Sequence, residues 1–158
     1  MNIHEPTPAS LRMTALNLLA MREHSAKELR VKLAKKCEQA DLILATVTKL
    51  QSDGLQSDSR FAQAFINMRL RQGKGAQLIR LELREKGISE ELIHEYLINS
   101  VQEADWNQLA LKAYRKKFGD TPLADLKEKS KRIRFLTARG FSTANIQYAF
   151  QQSLLQTD

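Results

Sequence analysis

Lysine and arginine gather on particular stretches of this sequence. Lys27, Arg30, Lys32, Lys35 and Lys36 stand against a single acid, Glu28. Arg69, Arg71, Lys74, Arg80, Arg84 and Lys86 stand against Glu82 and Glu85, and Lys127, Lys129, Lys131, Arg132, Arg134 and Arg139 against Glu128. Lys112, Arg115, Lys116 and Lys117 make a further cluster at a helix end, where cations also suit the helix dipole. Acids collect elsewhere, as in Glu90, Glu91 and Glu95. Such cations grip phosphate or carboxylate oxygens through charge-assisted hydrogen bonds. One of them alone is ordinarily a solvated helix face, but three equivalent basic helices form a surface suited to an extended anionic partner. The candidate contact residues are Lys27, Arg30, Lys35, Lys36, Arg69, Arg71, Lys74, Arg80, Arg84, Lys86, Lys131, Arg132, Arg134 and Arg139. Few Asn, Gln or aromatic side chains accompany them, which favours phosphate-like or acidic-surface contact over readout of bases.

Catalytic chemistry finds little to stand on. The one cysteine, Cys37, excludes an internal disulfide and any zinc site built on several thiolates, and fits a reducing compartment. His4, His24 and His94 lie far apart, with no H-x-x-x-H pair to hold a metal. Gln72-Gly73-Lys74-Gly75 resembles a phosphate cradle only superficially: no Lys-Ser/Thr follows and no strand precedes it, so it reads as a helix–helix turn. Cys37 sits beside Lys36, which favours some thiol reactivity, but no histidine partner is placed by the sequence. His24 reads as a solvated turn residue, and Trp106, Tyr96 and Tyr114 as core. No nucleophile, base and oxyanion donors assemble. The chain reads as no enzyme, with no cofactor and no metal.

The elements that position the cations follow from the apolar pattern. The chain has 158 residues, too few for two large domains and suited to one domain or an array of small repeats. Its 25 Lys and Arg against 18 Asp and Glu give a net charge of +7 and a pI near 9.7. Apolar residues recur with a 3.6 period and never alternate for long, so the fold is all-α. Phe61, Ala64, Phe65 and Met68 share one helix face, with Asp58 placed to cap it, and Ser25 with Glu28 forms a capping box. The pattern predicts nine helices near 10–22, 25–36, 40–53, 58–72, 75–86, 89–101, 105–118, 123–139 and 142–154. Asn17 interrupts the apolar stretch Met13–Met21, and Arg22-Glu23-His24 follows it, so it reads as a helix and not a signal peptide. The run Leu42–Val47 is too short for a membrane span, and the expectation is a cytoplasmic protein with no membrane partner.

The helices also repeat. Ala26, Leu29 and Leu33 recur as Ala76, Ile79 and Leu83, and Ile93, Tyr96, Leu97 and Val101 as Ile146, Ala149, Phe150 and Leu154. Between helices, Gly87-Ile88-Ser89 recurs as Gly140-Phe141-Ser142. The glycine ends one helix, the serine caps the next, and Ile88 or Phe141 packs on Ile93 or Ile146 as a hydrophobic staple. Three three-helix repeats result, at 10–54, 55–103 and 104–154, in an elongated array flanked by tails at 1–9 and 155–158. The first departs most, with Cys37-Glu38-Gln39 in place of the glycine link.

The segment from Gly54 to Ile88 resembles the RecX regulatory family, bacterial modulators of the recombinase RecA. Asp58, Arg60, Phe61 and Ala62 match its opening, Arg69, Gly73 and Gly75 its turn, and Glu82, Leu83, Lys86, Gly87 and Ile88 its close, with Leu78 and Ile79 a rougher match between them. Arg22-Glu23-His24-Ser25 and Glu28-Leu29-Arg30 match the family's start. Arg134-Phe135-Leu136, Arg139-Gly140-Phe141 and Ile146 match its end. Gln56, Ser57, Lys74 and Ala76 depart from the pattern; the last two replace a tyrosine and a proline and leave the central turn less stiff. The resemblance implies an array of three three-helix repeats that binds the RecA filament on single-stranded DNA in its helical groove. It further implies lowered filament growth, ATP hydrolysis, strand exchange and co-protease activity, in recombinational repair and the SOS response. Read from the residues alone, a stand-alone basic DNA-binding protein or transcription regulator is the alternative.

Overall fold

The computed structural model describes residues 5–101 and 103–155. Among them are nine α-helices and no strand: α1 (Pro8–Met21), α2 (Ala26–Ala34), α3 (Ala40–Ser52), α4 (Asp58–Arg71), α5 (Ala76–Glu85), α6 (Glu90–Ser100), α7 (Glu103–Phe118), α8 (Leu126–Ala138) and α9 (Thr143–Leu155). Of the histidines considered as ligands, His4 lies outside the described residues.

Helix starts follow local chemistry. Thr7 accepts a hydrogen bond from the Ser10 N–H, and Pro8 fills the first helical position, where its missing N–H costs nothing. The helix therefore begins two residues before the expected 10. Asp125 caps α8 by accepting from the Glu128 N–H, which sets its start at Leu126 and not at 123. The Ser25–Glu28 capping box forms as expected. Asp58 does not cap its own helix. Ser57 takes that role toward the Arg60 N–H, and the Asp58 carboxylate reaches instead to the Ala26 N–H at the start of α2, at 2.9 Å. At the divergent link of the first repeat, no glycine takes positive φ and no side chain caps α3 at Gln39.

The chain divides into two compact units, one of residues up to Ala64 with Arg84–Leu92, the other of Phe65–Leu83 with Ile93 onward. In the first, α1, α2 and α3 enclose Leu11, Ala15, Leu29, Leu33, Val47 and Leu50. In the second, α7, α8 and α9 enclose Ala110, Tyr114, Leu136, Phe141, Ile146 and Phe150. Phe141 and Ile146 meet in this core as the staple predicts. Tyr114 is buried as expected, whereas Tyr96 and Trp106 are only half-buried.

Each unit contains one joint between a helix start and a glycine link. In the first unit, Gly87 (φ +79°) lies against Lys27 at the start of α2, where an added Cβ would sit 2.7 Å from the Lys27 Cβ. The Lys27 ammonium donates to the Glu85 carbonyl at 3.0 Å, and Lys86 pairs with Glu28 at 3.4 Å. In the second unit, Gly140 (φ +98°) lies against Leu78 at the start of α5, where a Cβ would come within 2.6 Å of the Leu78 nitrogen. Here the backbone itself makes the bond. The Gly75 N–H donates to the Arg139 carbonyl at 2.7 Å and the Gln77 N–H to the Gly140 carbonyl at 3.0 Å. The turn around Lys74 and Ala76, expected to be loose, is thereby pinned.

Candidate interaction groove

Charge is unevenly divided between the two units. The first holds 11 Lys and Arg against 10 Asp and Glu, a net +1; the second holds 14 against 8, a net +6. Within the second, the last turn of α4, the C-terminal half of α7 and the end of α8 face a groove of about 220 Å³. Among the described residues five cations line it, Arg71, Lys112, Lys116, Lys117 and Arg139, and no carboxylate does. Leu70, Leu109, Ala113 and Phe135 supply its apolar wall. Arg71, Lys116, Lys117 and Arg139 sit at helix C-termini, where backbone carbonyls favour positive charge and offset part of the repulsion within the cluster.

Two of the five are fixed. The Arg139 guanidinium donates to the Gln72 carbonyl at 2.9 Å and lies 5.0 Å from the centre of the Phe135 ring, and the Lys117 ammonium lies 5.6 Å from the same ring. Arg71, Lys112 and Lys116 are exposed and pair with no group among the described residues. They are the cations free to meet a partner.

The structure sorts the sequence candidates. Arg71 and Arg139 enter this groove. Arg30, Lys35, Lys36, Lys131 and Arg134 are exposed and unpaired among the described residues, and Lys74 is half-buried and unpaired. Arg80 borders a second, wider recess of about 600 Å³ with His94, Leu97, Trp106 and Asn145. Four candidates are engaged in ion pairs within the chain: Arg69 with Glu82, Arg84 with Glu90, Lys86 with Glu28, and Arg132 with Glu128. Lys27 is exposed but tied to the Glu85 carbonyl.

Arg132, expected on the contact surface, lies inside the protein. It is 2% exposed, and its fork reaches the Tyr114 hydroxyl at 2.7 Å, the Thr121 carbonyl at 3.0 Å and Glu128 at 3.1 Å. Burial opposes its charge, but the bonds to Tyr114 and Glu128 outweigh this and raise its pKa. An arginine spent in this way holds the interior together and offers nothing to a partner. Its position four residues before the buried Leu136 is the signal that places it on the inner face of α8.

Lys112, Lys116 and Lys117 are the reverse case. The sequence shows them as a cluster that complements a dipole, and only the fold adds Arg71 and Arg139 beside them.

His24, expected to be solvated, is 1% exposed. Its Nδ1–H donates to the Arg22 carbonyl at 3.0 Å and its Nε2 accepts from the Lys32 ammonium at 2.9 Å, an arrangement that requires a neutral ring. Burial, with the Arg22 and Lys32 charges, holds its pKa below the ordinary histidine value. Cys37 is buried, with its sulfur 3.8 Å from the Gln39 carbonyl, which removes the basis for reactivity. Among the described residues no group of three or more His, Cys, Asp or Glu side chains could hold a metal, and no helix is long and apolar enough to cross a membrane.

Comparison with known proteins extends the motif matches over most of the chain. Models of the first, second and third three-helix domains of RecX match residues 12–50, 57–97 and 103–150. The chain is similar to a protein named regulatory protein RecX from Chromohalobacter salexigens, 40% identical over 94% of each chain. It is also similar to one of the same name from Pseudomonas savastanoi pv. phaseolicola, 35% identical over 85% of this chain and 86% of the other. The crystal structure of RecX from Lactobacillus salivarius shares the fold, with a TM-score of 0.77 at 22% identity over 94% of this chain and 97% of that one. Three matched domains in the order of the nine helices, together with relatives at this identity, place the chain in the RecX regulatory protein family.

Proposed function

We propose that this protein is a non-enzymatic cytoplasmic regulator that binds the RecA filament on single-stranded DNA and restrains it. Filament extension, ATP hydrolysis, strand exchange and co-protease activity all fall when it is bound. Family membership supports RecA as the partner, and the groove lined among the described residues by five cations and no carboxylate is the observation that supports charge-driven contact. Exposed cations elsewhere, Arg30, Lys35, Lys36, Lys131 and Arg134, add weaker contacts. Binding spread over many such contacts tolerates single substitutions and weakens with salt.

The test is RecA-dependent ATPase on single-stranded DNA with this protein added, repeated over a salt series. The expected result is a lowered rate, relieved by salt and by the double reversal Lys112→Glu with Lys116→Glu. An unchanged rate, or a lowered rate that the reversal leaves intact, would overturn the reading. Tight, sequence-specific duplex binding without RecA would instead favour a stand-alone DNA-binding protein.

A further inference from the structure

The groove in the second unit has a rim and a floor of different chemistry. Arg71, Lys112 and Lys116 stand free on the rim, whereas Leu70, Leu109 and Phe135 make the floor apolar. A sugar–phosphate backbone would satisfy the rim and leave the floor unfilled. Single-strand recognition usually adds bases stacked on aromatic rings, and among the described residues Phe135 is the one aromatic side chain lining this groove. Its ring is already engaged by the Lys117 and Arg139 cations and, edge-on at 5.4 Å, by Phe118. The volume of about 220 Å³ also falls below the roughly 300 Å³ at which pockets begin to hold drug-sized ligands. It suits one large side chain, an anchor with polar contacts around it, the usual form of a protein-binding hot spot.

We infer that this groove docks an acidic peptide segment of a protein partner, with one large apolar side chain on the floor and flanking carboxylates on Arg71, Lys112 and Lys116. The inference rests on the reading of the groove as the partner-facing surface, and it specifies that the groove grips protein and leaves nucleic acid to other cations.

The test titrates the full-length protein into a fluorescein-labelled five-residue peptide, acidic at both ends with a central leucine, and reads anisotropy. Replacing the central leucine by glycine is expected to weaken binding about tenfold or more, the equivalent of losing a buried leucine side chain. Lys112→Glu with Lys116→Glu is expected to weaken it by a similar factor, while Arg30→Glu with Lys35→Glu leaves it within about twofold. All four lysines and arginines are exposed, and circular dichroism confirms that the variants remain folded. No binding of the peptide, or equal binding of the glycine form, overturns the inference. So does an oligothymidylate whose binding, unlike the peptide's, is abolished by the Lys112 and Lys116 reversals. The RecA ATPase assay separates the two failures: a lowered rate with no peptide binding sinks only the inference, and peptide binding with an unaltered rate sinks only the proposed function.

Discussion

The Gly87 joint and the Gly140 joint perform the same task with different bonds. At Gly140 two backbone amides donate directly to backbone carbonyls, and the close approach depends on the absence of a side chain. At Gly87 the closest neighbour is the stem of Lys27, and the fastening is done by the Lys27 ammonium and by Lys86 on Glu28. The backbone joint has no titratable member and no flexible neighbour to yield. The side-chain joint is fastened by charged groups and loses strength with acid and salt. A recurring turn sequence therefore does not guarantee a recurring energy; the residues facing the turn decide it.

The largest expected effect is from Gly140→Ala. A Cβ there meets Leu78 backbone at a positive φ, and the cost is about 3 kcal/mol, or roughly 6–12 °C in Tm for a chain of this size. Gly87→Ala shares the positive φ and crowds the Lys27 Cβ at 2.7 Å, but among the described residues no backbone-to-backbone hydrogen bond crosses this joint to be broken, and the cost is about 2 kcal/mol. Equal losses of Tm in the two variants would erase the distinction.

Acid comes next. Burial alone would raise the Glu28 carboxyl, yet hydrogen bonds from Arg22 and the Ser25 N–H, with the Lys86 charge, lower it to about 2. The unfolded chain takes up this proton first, so the stabilisation is complete above pH 4.5 and disappears as pH falls toward 2. Glu28→Gln flattens that part of the stability–pH curve in denaturant titrations. His24, held below its ordinary value of 6.5, gives a separate loss that begins as pH falls through 6.5, and His24→Gln removes it. If the acid-induced loss is unchanged in both variants, the first joint and its surroundings are not the titrating part. The smallest effect is that of Lys86→Ala, about 0.5 kcal/mol or less at low salt and none at about 0.5 M salt. A salt-independent loss would show that packing, not charge, holds the lysine.

Much of this fold was legible because its signals are local. Nine helices, the Ser25–Glu28 box and the glycine–apolar–serine links rest on residues within four positions of one another. What the sequence hides has the opposite cause. Asp58 stands where its own helix begins, but its carboxylate serves the Ala26 N–H, 32 residues earlier. His24 reads as solvated because its covers, including Gln56, whose amide donates to the His24 carbonyl, arrive from another link. At the candidate site the cations were legible one by one, but their assembly was not. Arg71, Lys112 and Arg139 converge only when α4, α7 and α8 pack, and the same packing takes Arg132 out of reach.

The Arg132 fork has a consequence for motion. Between α7 and α8 the chain runs through Gly119, Asp120, Thr121 and Pro122, all exposed, a composition that would ordinarily flicker open on its own. Two of its carbonyls, at Thr121 and Pro122, are held by a guanidinium anchored among Tyr114, Phe118 and Glu128. Detaching this surface segment means uncovering a buried charge. A protease probing the protein would therefore meet a loop whose cleavage keeps pace with melting of the hydrophobic interior and not with surface breathing.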